Sequence, residues 1–353
     1  MAEVSGSNAD ARPGAPGGAR RRRALLAGAA CSLVLLVAAD LWLLPRFLPL
    51  PRATWLMGWA IPTSELEDVR INAAGFTGDD VTGPKPPGTR RVLTLGGSVL
   101  FNRRFTERLR AELVRRSDRP VELLGAALRS HTSRSSVLKW RLLRERGFDV
   151  VVIYEGINDL FANHIPPDGY REDYGHLGPW YVRGPLLDRS VIARLLYNNL
   201  LYRPPRHVVG ASGFRSAGTL RANLRELVAD VRACGAAPVL STFAWAIPPD
   251  YTHERFVAGE AGYANPERYD YCPVELWGPP AWVREGLQRQ NLVVHEVARE
   301  TRTRLFDAEA VLGKDLRWFG DVCHPSEAGV DRLVKTLAEW LDGEGLLGPG
   351  EVR

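Results

Sequence analysis

The chain contains no Cys-x-x-Cys pair. Its four cysteines, Cys31, Cys234, Cys272 and Cys323, are scattered over 353 residues. That spacing argues against a zinc site. It fixes no disulfide either, although one bridge among Cys234, Cys272 and Cys323 stays open for a domain outside the cytoplasm. No internal repeat is visible, which removes the stacked-repeat architectures. There is no excess of positive charge past the N-terminal arm. Of the net charge of +5, most comes from Arg12, Arg20, Arg21, Arg22 and Arg23, set against only Glu3 and Asp10. The remainder is close to neutral and offers no electrostatic basis for binding nucleic acid.

What is present is ordinary globular material. With 45% hydrophobic and 25% charged residues, the chain suits one large domain or two small ones. Residues 1–23 form an arm rich in Gly, Ala, Pro and Ser with no periodicity up to Gly18, and are expected to be disordered. Arg20–Arg23 then abut ALLAGAACSLVLLVAADLWLL, Ala24 to Leu44, apolar apart from Asp40 and small polar residues. A bilayer takes about 20 such residues. Arginines before the run predict a cytoplasmic N-terminus, a single pass through the cell membrane, and everything after Pro45 outside. A cleaved signal peptide and a twin-arginine export signal are rivals. A lipoprotein site at Ala29-Ala30-Cys31 is weakened by Gly28. A buried soluble helix is opposed by the arginine block. An uncleaved anchor is the favoured reading.

Beyond a linker over 45–90, a main domain is expected over 91–342, with a tail at 343–353. Five segments read as buried strands: Val92–Leu95, Val121–Leu124, Val150–Tyr154, Pro238–Thr242 and Arg304–Phe306. Between them, helical spacing marks Phe105–Arg115, Ser135–Arg144, Leu220–Cys234 and Val283–Thr301, and a last helix covers Glu327–Leu341. Strands alternating with helices predict an α/β fold with a parallel sheet covered on both faces. In such sheets, sites form at the carboxyl ends of the strands. Two stretches rich in proline and aromatics, 161–214 and 245–282, break the alternation. Both leave carboxyl ends and are expected to roof one cleft and share in substrate binding.

Four blocks carry the chemistry. RVLTLGGSVLFN puts Ser98 on a glycine break after the first strand, a layout that exposes a nucleophile or merely turns a corner. GAALRSHTS follows the second strand and holds Ser130, His131 and Thr132-Ser133. EGIND places Asn158, a neutral amide donor, after the third. DVCHP sets Asp321 and His324 three residues apart, a spacing that lets a carboxylate fix an imidazole's tautomer. Read singly, these residues have plainer roles. Asn158 and Asp159 suit a turn, Ser326 suits a helix cap, and His131, Arg103 and Arg104 suit the surface. Cys323 beside His324 invites a metal, but no further ligands cluster in sequence.

In this order the blocks resemble the SGNH or GDSL hydrolase family. The family's Gly-Asp-Ser appears as Gly96-Gly97-Ser98, its Gly-x-Asn-Asp as Gly156 to Asp159, and its Asp-x-x-His-Pro as Asp321 to Pro325. Its second block usually carries a glycine where Ser130 stands here. The resemblance covers about Arg70 to Leu341 and looks closest to members with an N-terminal membrane segment. It implies a three-layer α/β/α sandwich, flavodoxin-like, with a parallel sheet of about five strands. It also implies roles: Ser98 attacks, His324 takes its proton, and Asp321 holds His324. Backbone N–H groups of Ser98 and Ser130, with the Asn158 side chain, would stabilise the oxyanion. No metal or organic cofactor is implied. The expected activity is hydrolysis of acyl esters, acetyl esters of glycans and lipid or small esters included. An O-acyltransferase using the same triad and a non-catalytic binding domain are the alternatives. With an unperturbed imidazole, activity is expected to fall below about pH 6.

Overall fold

The computed structural model describes residues 17–43, 71–72, 75–102, 104–264 and 272–348. Arg103, residues 265–271 and 349–353, and most of the arm and the linker lie outside the described residues. Two compact units divide the chain. One combines residues 1–49 with Gly184–Asn199, and the other takes the remainder.

In the larger unit a six-stranded sheet is formed by β1 (Thr77–Gly78), β2 (Arg90–Gly96), β3 (Val121–Ala127), β4 (Val150–Tyr154), β5 (Ala237–Ser241) and β6 (Arg304–Phe306). Their order is β1-β3-β2-β4-β5-β6. The last five are parallel, as expected, while β1 is an added antiparallel edge strand on β3. β4 is buried along its whole length, and Val92, Leu93 and Leu95 of β2 are fully buried. Continuous apolar runs of this kind are what a sheet covered on both faces requires.

Helices cover both sides. In this unit they include α2 (Ser98–Phe101), α3 (Phe105–Arg116), α4 (Ser133–Leu143), α5 (Arg215–Ala233), α6 (Pro280–Thr301) and α7 (Glu327–Gly343), and the first helix of the chain, α1 (Gly17–Ala38), belongs to the other unit. α3 packs on α7, whereas α5 packs on both α4 and α6. Phe101, Phe105, Leu109 and Leu113 are all buried, but they belong to two helices, because Arg104 takes a left-handed φ of 54° and breaks the run. Ser326 caps α7 by accepting from the Gly329 N–H at 3.2 Å, and Thr132 with Ser135 forms a reciprocal capping box on α4.

Register decides what the sheet can do. Gly96 pairs with Ala127 and with Tyr154, Tyr154 with Ser241, and Ser241 with Phe306. Five carboxyl ends therefore line up on one edge. The segments that leave them begin at Gly97, Leu128, Glu155, Thr242 and Asp307.

The smaller unit is built on α1. Leu25–Leu43 is a helical stretch of 19 residues with mean hydropathy 2.1, long and apolar enough to cross a membrane. The helix begins at Gly17, inside the arm expected to be disordered. Asp40, the one acid in the run, is buried. It accepts from the Ile192 backbone N–H at 3.0 Å and from the hydroxyl of Ser190, the N-cap of the short helix Val191–Leu196. Part of the first insertion thus folds with the apolar helix rather than with the sheet. Elsewhere the insertions' aromatics pack on one another. Phe214 stacks on Trp282, Trp282 meets His164, and Tyr174, Tyr181, Tyr251 and Trp277 are buried.

Candidate active site

Ser98 is the first residue of α2, two past the end of β2, and is half-buried. Its hydroxyl lies 2.8 Å from His324 Nε2. His324 sits in a closed loop. Phe319 bridges Pro325, and the Gly320 N–H donates to the His324 carbonyl at 2.8 Å. That closure folds Asp321 back onto the ring, with Nδ1 at 2.8 and 3.0 Å from the two carboxylate oxygens. A carboxylate only accepts, so Nδ1 carries the hydrogen and Nε2 is left as the acceptor for the Ser98 hydroxyl.

Asp321 is fully buried, yet it is well satisfied. One oxygen accepts the backbone N–H groups of Cys323 and His324 at 3.0 and 2.9 Å, and the other accepts the Cys272 N–H at 3.1 Å. Burial works against a charged His324 ring. The neighbouring Asp321 carboxylate, together with its hydrogen bond, outweighs that and holds the imidazole well above its ordinary value. Proton transfer from Ser98 to Nε2 would therefore leave an imidazolium that Asp321 stabilises.

The other blocks arrive at the same edge. Asn158 is buried in the tight helical turn after β4 and donates its amide to the His131 carbonyl at 2.9 Å. Gly97 makes room for it. A Cβ there would lie 2.8 Å from Asn158 Nδ2 and 3.2 Å from the His131 oxygen. Gly156 answers a similar demand, because its Cβ would meet the Phe243 ring at 2.4 Å. Gly97, Ser98, Gly156, Asn158 and Phe243 line a small pocket. Ser130 lies in the exposed tip of the loop after β3 with a left-handed φ of 58°, where glycine would be unstrained.

His131 is the main correction. It is not at the surface but 1% exposed, and neither ring nitrogen has a hydrogen-bond partner among the described residues. Burial first, and the Lys139 charge second, push its pKa well below the usual imidazole value, so the ring is neutral. Lys139 donates to the Gly96 carbonyl at 2.8 Å, from beneath the turn that carries Ser98. Asp159 does not face the nucleophile. It accepts from the Ser133 N–H at 2.9 Å, from the Ser133 hydroxyl and from Tyr174 at 2.8 Å, and so ties the third block to the second and to the insertion. Burial outweighs these donors and raises its pKa to about 6. Cys272 escaped the sequence reading, since its partner Asp321 lies 49 residues away. All four cysteines are free thiols. A second cavity, about 780 Å³, is lined by Arg90, Arg232, Arg302 and Arg304, but Arg90 and Arg304 mark the amino ends of their strands, away from Ser98.

A serine, an imidazole and a carboxylate hydrogen-bonded in series, at the carboxyl ends of parallel strands, are the arrangement that serine-hydrolase chemistry requires. The chain belongs to the GDSL-like lipase/acylhydrolase family, whose model matches residues 76–332. It is an enzyme of esterase type. No curated protein matches the sequence. Similar solved structures include a lipase/acylhydrolase from Enterococcus faecalis, 15% identical over 72% of this chain and 96% of that one, with a TM-score of 0.41. An acetylxylan esterase from Geobacillus stearothermophilus is 15% identical over 75% and 96%, with a TM-score of 0.40. An α/β hydrolase from the metagenome of Lake Arreo is 15% identical over 74% and 97%, with a TM-score of 0.43.

Proposed function

We propose that the chain is a membrane-anchored serine esterase that acts on acyl esters outside the cytoplasm. The observation that carries this reading is the unbroken series Ser98 Oγ, His324, Asp321, with 2.8 Å at each link. Ser98 attacks the ester carbonyl as His324 Nε2 takes its proton. The alcohol leaves with that proton, and water then cleaves the acyl-serine by the same route in reverse roles. The oxyanion is held by the Ser98 and Ser130 N–H groups and by Asn158. One Asn158 hydrogen is fixed on the His131 carbonyl, which orients the second. The left-handed φ of Ser130 fits this assignment, because such strain costs about 1–2 kcal/mol and persists where surrounding structure enforces a functional geometry. The small pocket beside Ser98 favours a short acyl group, acetyl included. Leu25–Leu43 serves as the anchor, preceded by Arg20–Arg23 on the cytoplasmic side.

The test is a panel of acyl esters and acetylated glycans given to the full chain in detergent, with and without an added glycan acceptor. Release of the free acid, lost in Ser98→Ala, is the expected result. Acyl transfer to the acceptor in preference to water would make the enzyme a transferase, and no turnover of any ester would overturn the reading.

A further inference from the structure

The fold brings a thiol to the histidine that the sequence did not pair with it. Cys272, Asp321 and His324 offer a sulfur, a carboxylate oxygen and a ring nitrogen that all lie within 4.8 Å of one another. The carboxylate and Nδ1 are already 2.8 Å apart. Zinc binds sulfur at about 2.3 Å and nitrogen or oxygen at about 2.0–2.2 Å, so tetrahedral ligand atoms stand roughly 3.3–3.7 Å apart. The separations need to close by no more than about 1.5 Å to meet those distances. We propose that Cys272, Asp321 and His324 form an inhibitory site for a soft divalent cation of the zinc type. The proposal rests on the reading of His324 as the base.

The ligand chemistry selects the ion. A thiolate with an imidazole and one carboxylate suits zinc and its soft relatives, and is a poor set for magnesium or calcium, which take oxygen. The site is reachable, because Cys272 is half-buried although Asp321 and His324 are buried. The Asp321 oxygen nearest Nδ1 also accepts the Cys272 backbone N–H at 3.1 Å, which holds this cysteine beside the carboxylate.

The consequence follows from proton positions. In the free enzyme the hydrogen on Nδ1 points at Asp321 and Nε2 accepts from Ser98. A cation that bonds to Nδ1 takes the place of that hydrogen, which moves to Nε2. The Cys272 thiol releases its proton to solvent as the sulfur–metal bond forms. Nε2 then presents an N–H to Ser98 and has no lone pair to receive the serine proton. The base is silenced by its tautomer with no displacement of Ser98, and chelation restores it.

The experiment uses the full chain in detergent. Zinc chloride is titrated into hydrolysis of a short acyl ester, and in parallel cobalt chloride is added and the near-ultraviolet thiolate-to-cobalt absorption is recorded. Wild type should lose activity with zinc, regain it with EDTA, resist magnesium, and show the cobalt band. Cys272→Ser and Cys272→Ala should lack the band and need more than about 10-fold more zinc for the same fractional inhibition, each normalised to its own metal-free rate. Cys234→Ala, which removes an exposed thiol at the end of α5, should behave like wild type in both measurements. Absence of the band in wild type, or a band and inhibition that persist in both Cys272 variants, would overturn the site. The cobalt spectrum needs no turnover, so failure of the esterase reading and failure of the metal site give different results.

Discussion

Gly97 and Asn158 compete for one space. A Cβ on Gly97 would stand 2.8 Å from Asn158 Nδ2, which is itself pinned to the His131 carbonyl at 2.9 Å. The backbone of Gly97, φ −100° and ψ −151°, is open to any residue, so the constraint is this contact and not conformation. Gly97→Ala should push the amide off the carbonyl and lower kcat by about tenfold or more, short of the 10²–10³ expected for losing an oxyanion donor outright. Steady-state kinetics of the folded variant checks this, and an unchanged kcat would mean that the amide has slack or no role.

Removing the amide itself is the stronger perturbation. Asn158→Ala should reduce kcat by about 10²–10³, equivalent to about 2.7–4 kcal/mol of barrier, with KM changing less. The reasoning is that the donor is aimed at charge which develops only in the transition state. A KM effect with kcat preserved would place Asn158 in ground-state binding instead.

The pH dependence departs from what an unperturbed histidine gives. Burial, the largest single effect, disfavours the charged ring, but Asp321, with smaller help from Cys323 and Cys272, raises the His324 pKa well above the ordinary value of about 6.5. The neutral base is then lost as pH falls through that raised value. kcat/KM should already be declining above about pH 6.5, not only below pH 6. In Asp321→Asn the raising charge is gone while burial remains, so the inflection should move to lower pH as the maximum rate drops. A wild-type profile flat from pH 5 to about 8, with chemistry limiting, would contradict the assignment of His324 as base.

Topology is open to a direct check. Reporter fusions at the C-terminus should be active when the reporter works only outside the cytoplasm, because Arg20–Arg23 precede the apolar span. Activity of a cytoplasm-only reporter would reverse the orientation.

Much of the sheet was legible because its strands are short apolar runs whose burial on both faces leaves a plain trace in sequence. β4 and β6 fall on the residues expected, and β2, β3 and β5 differ only at their ends. β1 was invisible, since two residues carry no periodicity and its pairing with β3 depends on chain 48 residues away. Ser98, Asn158, Asp321 and His324 could be picked out because each closes or follows a recognisable strand or precedes a helix. Their meeting at one edge depends on the register between strands, which no local pattern encodes. His131 was misjudged as a surface residue because a polar side chain in a loop gives no sign of what covers it. Asp40 and Cys272 were unexplained for the same reason. Their partners, Ser190 and Asp321, are distant in sequence and joined to them only by the fold.

The most direct test concerns Ser98. A serine hydrogen-bonded to a base should react irreversibly with a fluorophosphonate, whereas an unactivated turn serine is a poor nucleophile. The full chain, purified in detergent, is labelled and the adduct mapped by mass spectrometry. Wild type should carry the adduct on Ser98, and His324→Ala should lose most of the labelling while remaining folded. A folded wild type that stays unlabelled, or an adduct on any other serine, would contradict the assignment of Ser98 as nucleophile.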